Sequence, residues 1–193
     1  MIKRLLLLLV AVGLTACGVP TDSSPRSLPT EVLDALNSAE PAENSGGQLA
    51  ELWFVQGEKI APVERRVEQL LSPEETLLLL EAGPTAEEKE AGLRTALVPV
   101  AADTPLVATA AASGLTVPAG NKQTAVVLDD QFSELPSEEQ LLILGQVVFT
   151  LAPEPDESVL FVNSSGTPIG VPLPNGRLSS GAVNRSNYEA LPG

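Results

Sequence analysis

The order of segments along the chain predicts an α+β domain: a small, mostly antiparallel sheet with two amphipathic helices on one face. Three observations carry that expectation. Runs rich in β-branched and aromatic residues stand at both ends of the apolar part of the chain, and two segments of helical spacing lie between them. Turns containing Gly or Pro separate the segments.

The first pair of runs is Leu52-Trp53-Phe54-Val55 and Ile60 to Val67, joined by Gln56-Gly57-Glu58-Lys59, which reads as a hairpin. Pro62 lacks an N–H to give to a neighbouring strand, so the second strand is expected at an edge or bulge. The first helix opens on Ser72 as N-cap, Pro73 at the first helical position and Glu75 at the third, a capping box. It continues through Thr76 to Leu80 and stops at Gly83-Pro84. Thr85 to Leu97 is a charged excursion of short helix or turns, in which Glu87 to Glu90 read as a solvated face. Leu106 to Ala110 and Thr124 to Leu128 are strand candidates. The second helix is assigned Ser137 as its cap and Gln140 as the capping-box partner. Leu141, Leu144, Val148 and Leu151 form its apolar face, and Pro153 and Pro155 end it. A last hairpin joins Ser158–Val162 to Thr167–Val171 through Asn163-Ser164-Ser165-Gly166.

The chain's first residues follow the grammar of export. Lys3 and Arg4 precede an apolar run, Leu5 to Val12, of signal-core length and too short to span a bilayer. Leu14-Thr15-Ala16-Cys17 then resembles the lipobox of bacterial lipoproteins. That resemblance implies cleavage after residue 16, diacylglyceryl transfer to the Cys17 thiol, and a chain anchored on the extracytoplasmic side of the cell membrane. Cys17 is the only cysteine, so no internal disulfide competes for it. Two acyl chains, at ~0.8 kcal/mol per buried methylene, hold a protein where one would be marginal. The expected organisation is a signal peptide at 1–16, the lipidated cysteine and a Pro/Ser-rich tether at 17–48, a folded domain at 49–173 and a polar C-terminal tail at 174–193.

Composition narrows function further. Of 11 basic residues the leader removes Lys3 and Arg4, leaving nine against 25 acids, a net charge of −16. Such a surface repels phosphate backbones, so no nucleic-acid partner is expected. The chain has no histidine, which rules out the usual Ser-His-Asp and Cys-His machinery and the common zinc sites. Neither a metal nor a cofactor is expected. Asp129 and Asp130 have the chemistry of a Ca²⁺ pair and equally of turn residues. Gly83-Pro84-Thr85 and Gly166 read as ligand-approaching loops or as plain helix ends and turns. Ser164 and Ser165 lack a nearby base. Trp53 is either core or an interface anchor, and Tyr188 shares that ambiguity.

The order of several motifs resembles the GerMN domain, the sporulation and spore germination module. The residues concerned are Leu52-Trp53-Phe54-Val55, Leu79-Leu80-Glu81-Ala82-Gly83-Pro84-Thr85, Gly92 to Leu97, Ala125 to Asp129 with Phe132, and Gln146-Val147-Val148-Phe149-Thr150-Leu151. The resemblance covers residues 49–173. It implies a compact α+β domain akin to the ring-building modules of secretion systems, usually carried on exported lipoproteins. Members are associated with spore germination or with other envelope and cell-wall functions, and the family has no established catalytic residues. The expected function is therefore non-catalytic: protein interaction or self-association at the cell envelope. A cell-wall or small-ligand binding module is the alternative.

Overall fold

A computed structural model describes residues 47–98 and 104–193, all within one compact unit. The leader at 1–16, Cys17 and the tether up to residue 46 lie outside the described residues.

The fold is α+β, with two three-stranded sheets rather than one. In the first sheet β1 (Gln48–Gln56) lies between β2 (Lys59–Val67) and the short β3 (Leu93–Arg94), all antiparallel. Pro62 sits on β2, an edge strand as expected, opposite Trp53. Gly57 adopts φ 63° in the turn between β1 and β2, a conformation that costs a side-chain-bearing residue energy. The second sheet runs β4 (Val107–Thr109), β5 (Gln123–Leu128), β6 (Ser158–Val162); β4 pairs antiparallel with β5, and β5 pairs parallel with β6. That parallel pair needs a crossover connection, which the second long helix supplies.

Helix α1 (Pro73–Ala82) carries the expected capping box: Ser72 Oγ accepts from Glu75 N–H at 3.2 Å, and Glu75 accepts from Ser72 N–H at 2.8 Å. The bond from Ser72 N–H to the ionised form holds the Glu75 carboxyl below its ordinary value. A second capping box, Thr85 with Glu88, starts the one-turn α2 (Ala86–Glu90) inside the charged excursion. Helix α3 (Ser137–Leu151) departs from expectation at its start. Its N-cap is Pro136, with no side-chain cap, and Gln140 turns instead to the Leu135 carbonyl at 2.8 Å. With Ser137 already helical, the Ser137–Gln140 box does not form.

The same helix is not one-faced. Every residue from Leu142 to Thr150 is buried, because α3 lies against β1 and β2 of the first sheet and β6 of the second. A helix apolar all round belongs in the centre of a domain. Thr150 Oγ1 accepts from the Trp53 N–H at 3.0 Å, tying it to β1.

The segment after residue 173 belongs to the folded body and is not a tail. Val183 bridges to Val159, a 3₁₀ turn at Arg185–Tyr188 packs on α3, and Pro192 bridges in parallel to Ile60 at the edge of β2. Tyr188 is fully buried and Val183 nearly so. Gly145 on α3 makes room for this strap, since a Cβ there would lie 2.5 Å from Leu191 Cδ1. The expected second strand of the last hairpin is reduced to a Val162–Pro168 bridge and an Ile169 N–H bond to Phe161 at 3.0 Å.

Candidate functional site

Each residue singled out by the sequence has a place in the structure. Trp53 is core: its ring centroid lies 4.7 Å from that of Phe149, and the side chain is 9% exposed. Arg185 of the C-terminal strap lies over both rings, 5.5 Å from Trp53 and 5.2 Å from Phe149. Its Nη2 donates to Glu51 Oε1 at 2.7 Å and to the Phe149 carbonyl, while Trp53 Nε1 donates to the same Glu51 oxygen at 2.8 Å. Partial burial alone would raise the Glu51 carboxyl, but the bonds from Trp53 and Arg185 hold it below its ordinary value. This clamp fastens the strap to β1 and α3. Sequence reading missed Arg185; the available signal was Asn184 and Asn187, three apart and capping each other's backbone just before Tyr188.

Tyr188 is also core, and its hydroxyl donates to the Pro172 carbonyl at 2.9 Å. Burial pushes its phenol well above the ordinary tyrosine range. All six aromatic side chains are therefore buried, and none offers a stacking platform on the surface.

The polar candidates resolve into local structure. Asp129 Oδ1 accepts from Gln131 N–H at 3.0 Å and caps the 3₁₀ turn Asp130–Glu134. Among the described residues, no group of three acidic or cysteine side chains is close enough to hold a metal. Gly83 ends α1 with φ 79°, a conformation open to glycine, and Thr85 caps α2. Asn163 Oδ1 accepts from Ser165 N–H and Thr167 N–H, and Gly166 completes the turn with φ 78°. Ser164 and Ser165 are turn residues there. Arg65 joins β2 to both helices, bonding Glu88 and the Gly83 carbonyl, and the Arg65 bond holds the Glu88 carboxyl below its ordinary value.

What remains open to a ligand is a set of surface clefts. One, about 490 Å³, lies between the N-terminal end of α1, the turn after β4, and β5; Glu74 is its single ionisable lining residue. A smaller cleft of about 100 Å³ lies between α1 and β4, and Glu74 and Thr109 line both. Another, about 420 Å³, lies beside Leu106, Leu135 and Glu139. None brings together a nucleophile, a base and an anion-binding group.

Solved structures share this architecture. The tandem GerMN domains of the sporulation protein GerM from Bacillus subtilis match with a TM-score of 0.50 at 18% identity, over 72% of this chain and 46% of that one. This chain thus spans about half the length of the tandem structure. The first GerMN domain of the same protein matches at a TM-score of 0.47 and 18% identity, over 72% of this chain and 98% of that one. No protein-family model matches the sequence, and no curated protein is similar enough to count as a relative. The described domain is GerMN-like in fold.

Proposed function

We propose that this chain is an exported lipoprotein, held at the outer face of a membrane by the lipid on Cys17, whose GerMN-like domain binds another protein of the cell envelope or copies of itself. The observation that carries the reading is the coincidence of Lys3-Arg4, the apolar run and Leu14-Thr15-Ala16-Cys17 at the spacing of a lipoprotein leader. Support for a non-catalytic role comes from the missing histidine and from clefts without convergent reactive groups. A glycan-binding module would need exposed aromatic surface, and the buried state of Trp53 and Tyr188 speaks against it. GerM is a sporulation protein; what reaches this chain is architecture, since 18% identity carries no shared process.

Cys17→Ser tests the anchor. The parent chain takes up labelled palmitate and sediments with membranes, whereas the variant takes up none and no longer sediments through its lipid. A variant that still incorporates palmitate overturns the assignment.

A further inference from the structure

We propose that the outer edge of β2 pairs two copies of this chain. The two β2 strands run antiparallel about a two-fold axis at Arg65, so that the first sheets of both copies join into one. This deepens the self-association reading above and rests on it.

The edge is open beyond its first residues. Main-chain groups of an antiparallel strand point alternately to one side and the other. Ile60 fixes the phase: its N–H donates to the Leu191 carbonyl at 3.0 Å, and its carbonyl accepts from Gly193 N–H at 3.1 Å, both outside the sheet. Pro62, Glu64 and Arg66 therefore face outward as well, and all three are exposed. Among the described residues, the C-terminal strap covers this edge at Ile60 alone. Pro62 has no N–H to give, but Glu64 and Arg66 each keep a donor and an acceptor for a further strand.

Charge selects the occupant and the register. Glu64 lies opposite Glu51 of β1, whose carboxylate is held by Arg185, and Arg66 lies opposite Leu49. Neither Glu64 nor Arg66 belongs to an ion pair among the described residues. They stand two residues apart on one face of the strand, opposite in sign. A second copy centred on Arg65 sets Glu64 against Arg66 of the other copy, twice by symmetry. Both residues face outward, so each such pair also exchanges two main-chain hydrogen bonds. The neighbouring registers in which outward residues still meet set Glu64 against Glu64 or Arg66 against Arg66, like charges directly opposite.

The other face of the strand agrees. There Val63 meets Val67 of the second copy on each side of the axis, and both are half-buried. Arg65 meets itself at the axis, but its charge is neutralised by Glu88 of its own copy. Its guanidinium is drawn in over Phe54 of β1, 4.9 Å from the ring centre, and bonds the Gly83 carbonyl. Four main-chain bonds and two ion pairs make a weak pair in dilute solution. The anchor proposed above raises the effective concentration by holding copies in one membrane.

Photo-cross-linking in the full, membrane-anchored chain, expressed beside a second, affinity-tagged copy, tests this. The cross-linker replaces Glu68, which this register sets opposite Pro62 of the other copy, or Leu178 elsewhere on the surface. The expected result is an adduct with the tagged copy from Glu68 and not from Leu178, mapped to the segment around Pro62. Arg66→Glu turns both ion pairs into like-charge pairs and should lower the yield about tenfold, roughly threefold for each pair, at an unchanged urea midpoint. Adding Glu64→Arg to it restores opposite charges and should restore the yield. A yield indifferent to Arg66→Glu, no recovery in the double variant, or a self-adduct from Leu178 alone overturns the pairing. Capture of a different protein at Glu68, without the second copy, overturns it and leaves binding to an envelope protein standing. No protein adduct from Glu68, Leu178 or the other exposed apolar positions Leu49, Leu70 and Leu78 sinks both.

Discussion

Tyr188→Ala measures how far the C-terminal strap holds the domain together. Tyr188 is fully buried, and its hydroxyl donates to the Pro172 carbonyl at 2.9 Å. Truncating a buried aromatic side chain costs about 3–5 kcal/mol through lost transfer energy and the cavity left behind. The orphaned Pro172 carbonyl adds about 1–3 kcal/mol. A central value of ~5 kcal/mol compares with a total stability of about 5–15 kcal/mol for a domain of this class. Equilibrium urea unfolding, followed by the fluorescence of the single Trp53, reads the difference. With a denaturant slope of about 2 kcal/mol/M, the midpoint should fall by roughly 2.5 M. Tyr188→Phe keeps the ring and loses only the hydroxyl, so its midpoint should fall by about 0.5–1.5 M. A Tyr188→Ala midpoint within about 0.3 M of the parent would refute the argument, because the strap would then be dispensable to the fold.

Gln146 is a buried amide at the middle of α3, accepting from Ala96 N–H at 2.9 Å and donating to Thr95 Oγ1 at 3.2 Å. Gln146→Leu leaves the Ala96 N–H unpaired and should cost about 1–3 kcal/mol, seen as an earlier urea midpoint and faster amide exchange at Ala96. Glu51 and Glu88 are both held below the ordinary carboxyl value of 4.5 in the folded chain. Their contribution is therefore full above that value and lost as pH falls through the folded values. Stability should drop between about pH 5 and pH 3, and Glu51→Gln with Glu88→Gln should flatten that drop; an undiminished drop in the double variant argues against these two acids as its source.

Much of the local structure was legible along the chain because its causes are local. Ser72-Pro73-Glu74-Glu75 specifies a helix start with atoms three residues apart, and both cap bonds form. Gly57, Gly83 and Gly166 mark places where φ is positive, and Pro62 marks an edge. The order of these signals with the apolar runs was enough for the α+β class and the GerMN-like resemblance. The candidate sites were harder to read, since Trp53, Asp129 and Ser164 are compatible with several roles until their neighbours are known.

The sequence by itself determined where elements begin and turn, the acidic balance and the lack of histidine, since each is a property of residues close together or of the inventory. Only the tertiary structure decided the division into two sheets, the burial of α3 on every side, and the recruitment of residues 174–193 into the core. It also decided that Trp53 and Arg185 meet across 132 positions of chain. No periodicity in a Pro-, Gly- and Asn-rich strap reports that Tyr188 is buried. The contacts that bury it come from distant elements, its turn packing on α3 and its hydroxyl reaching Pro172, and their free energy exists only once those segments have come together.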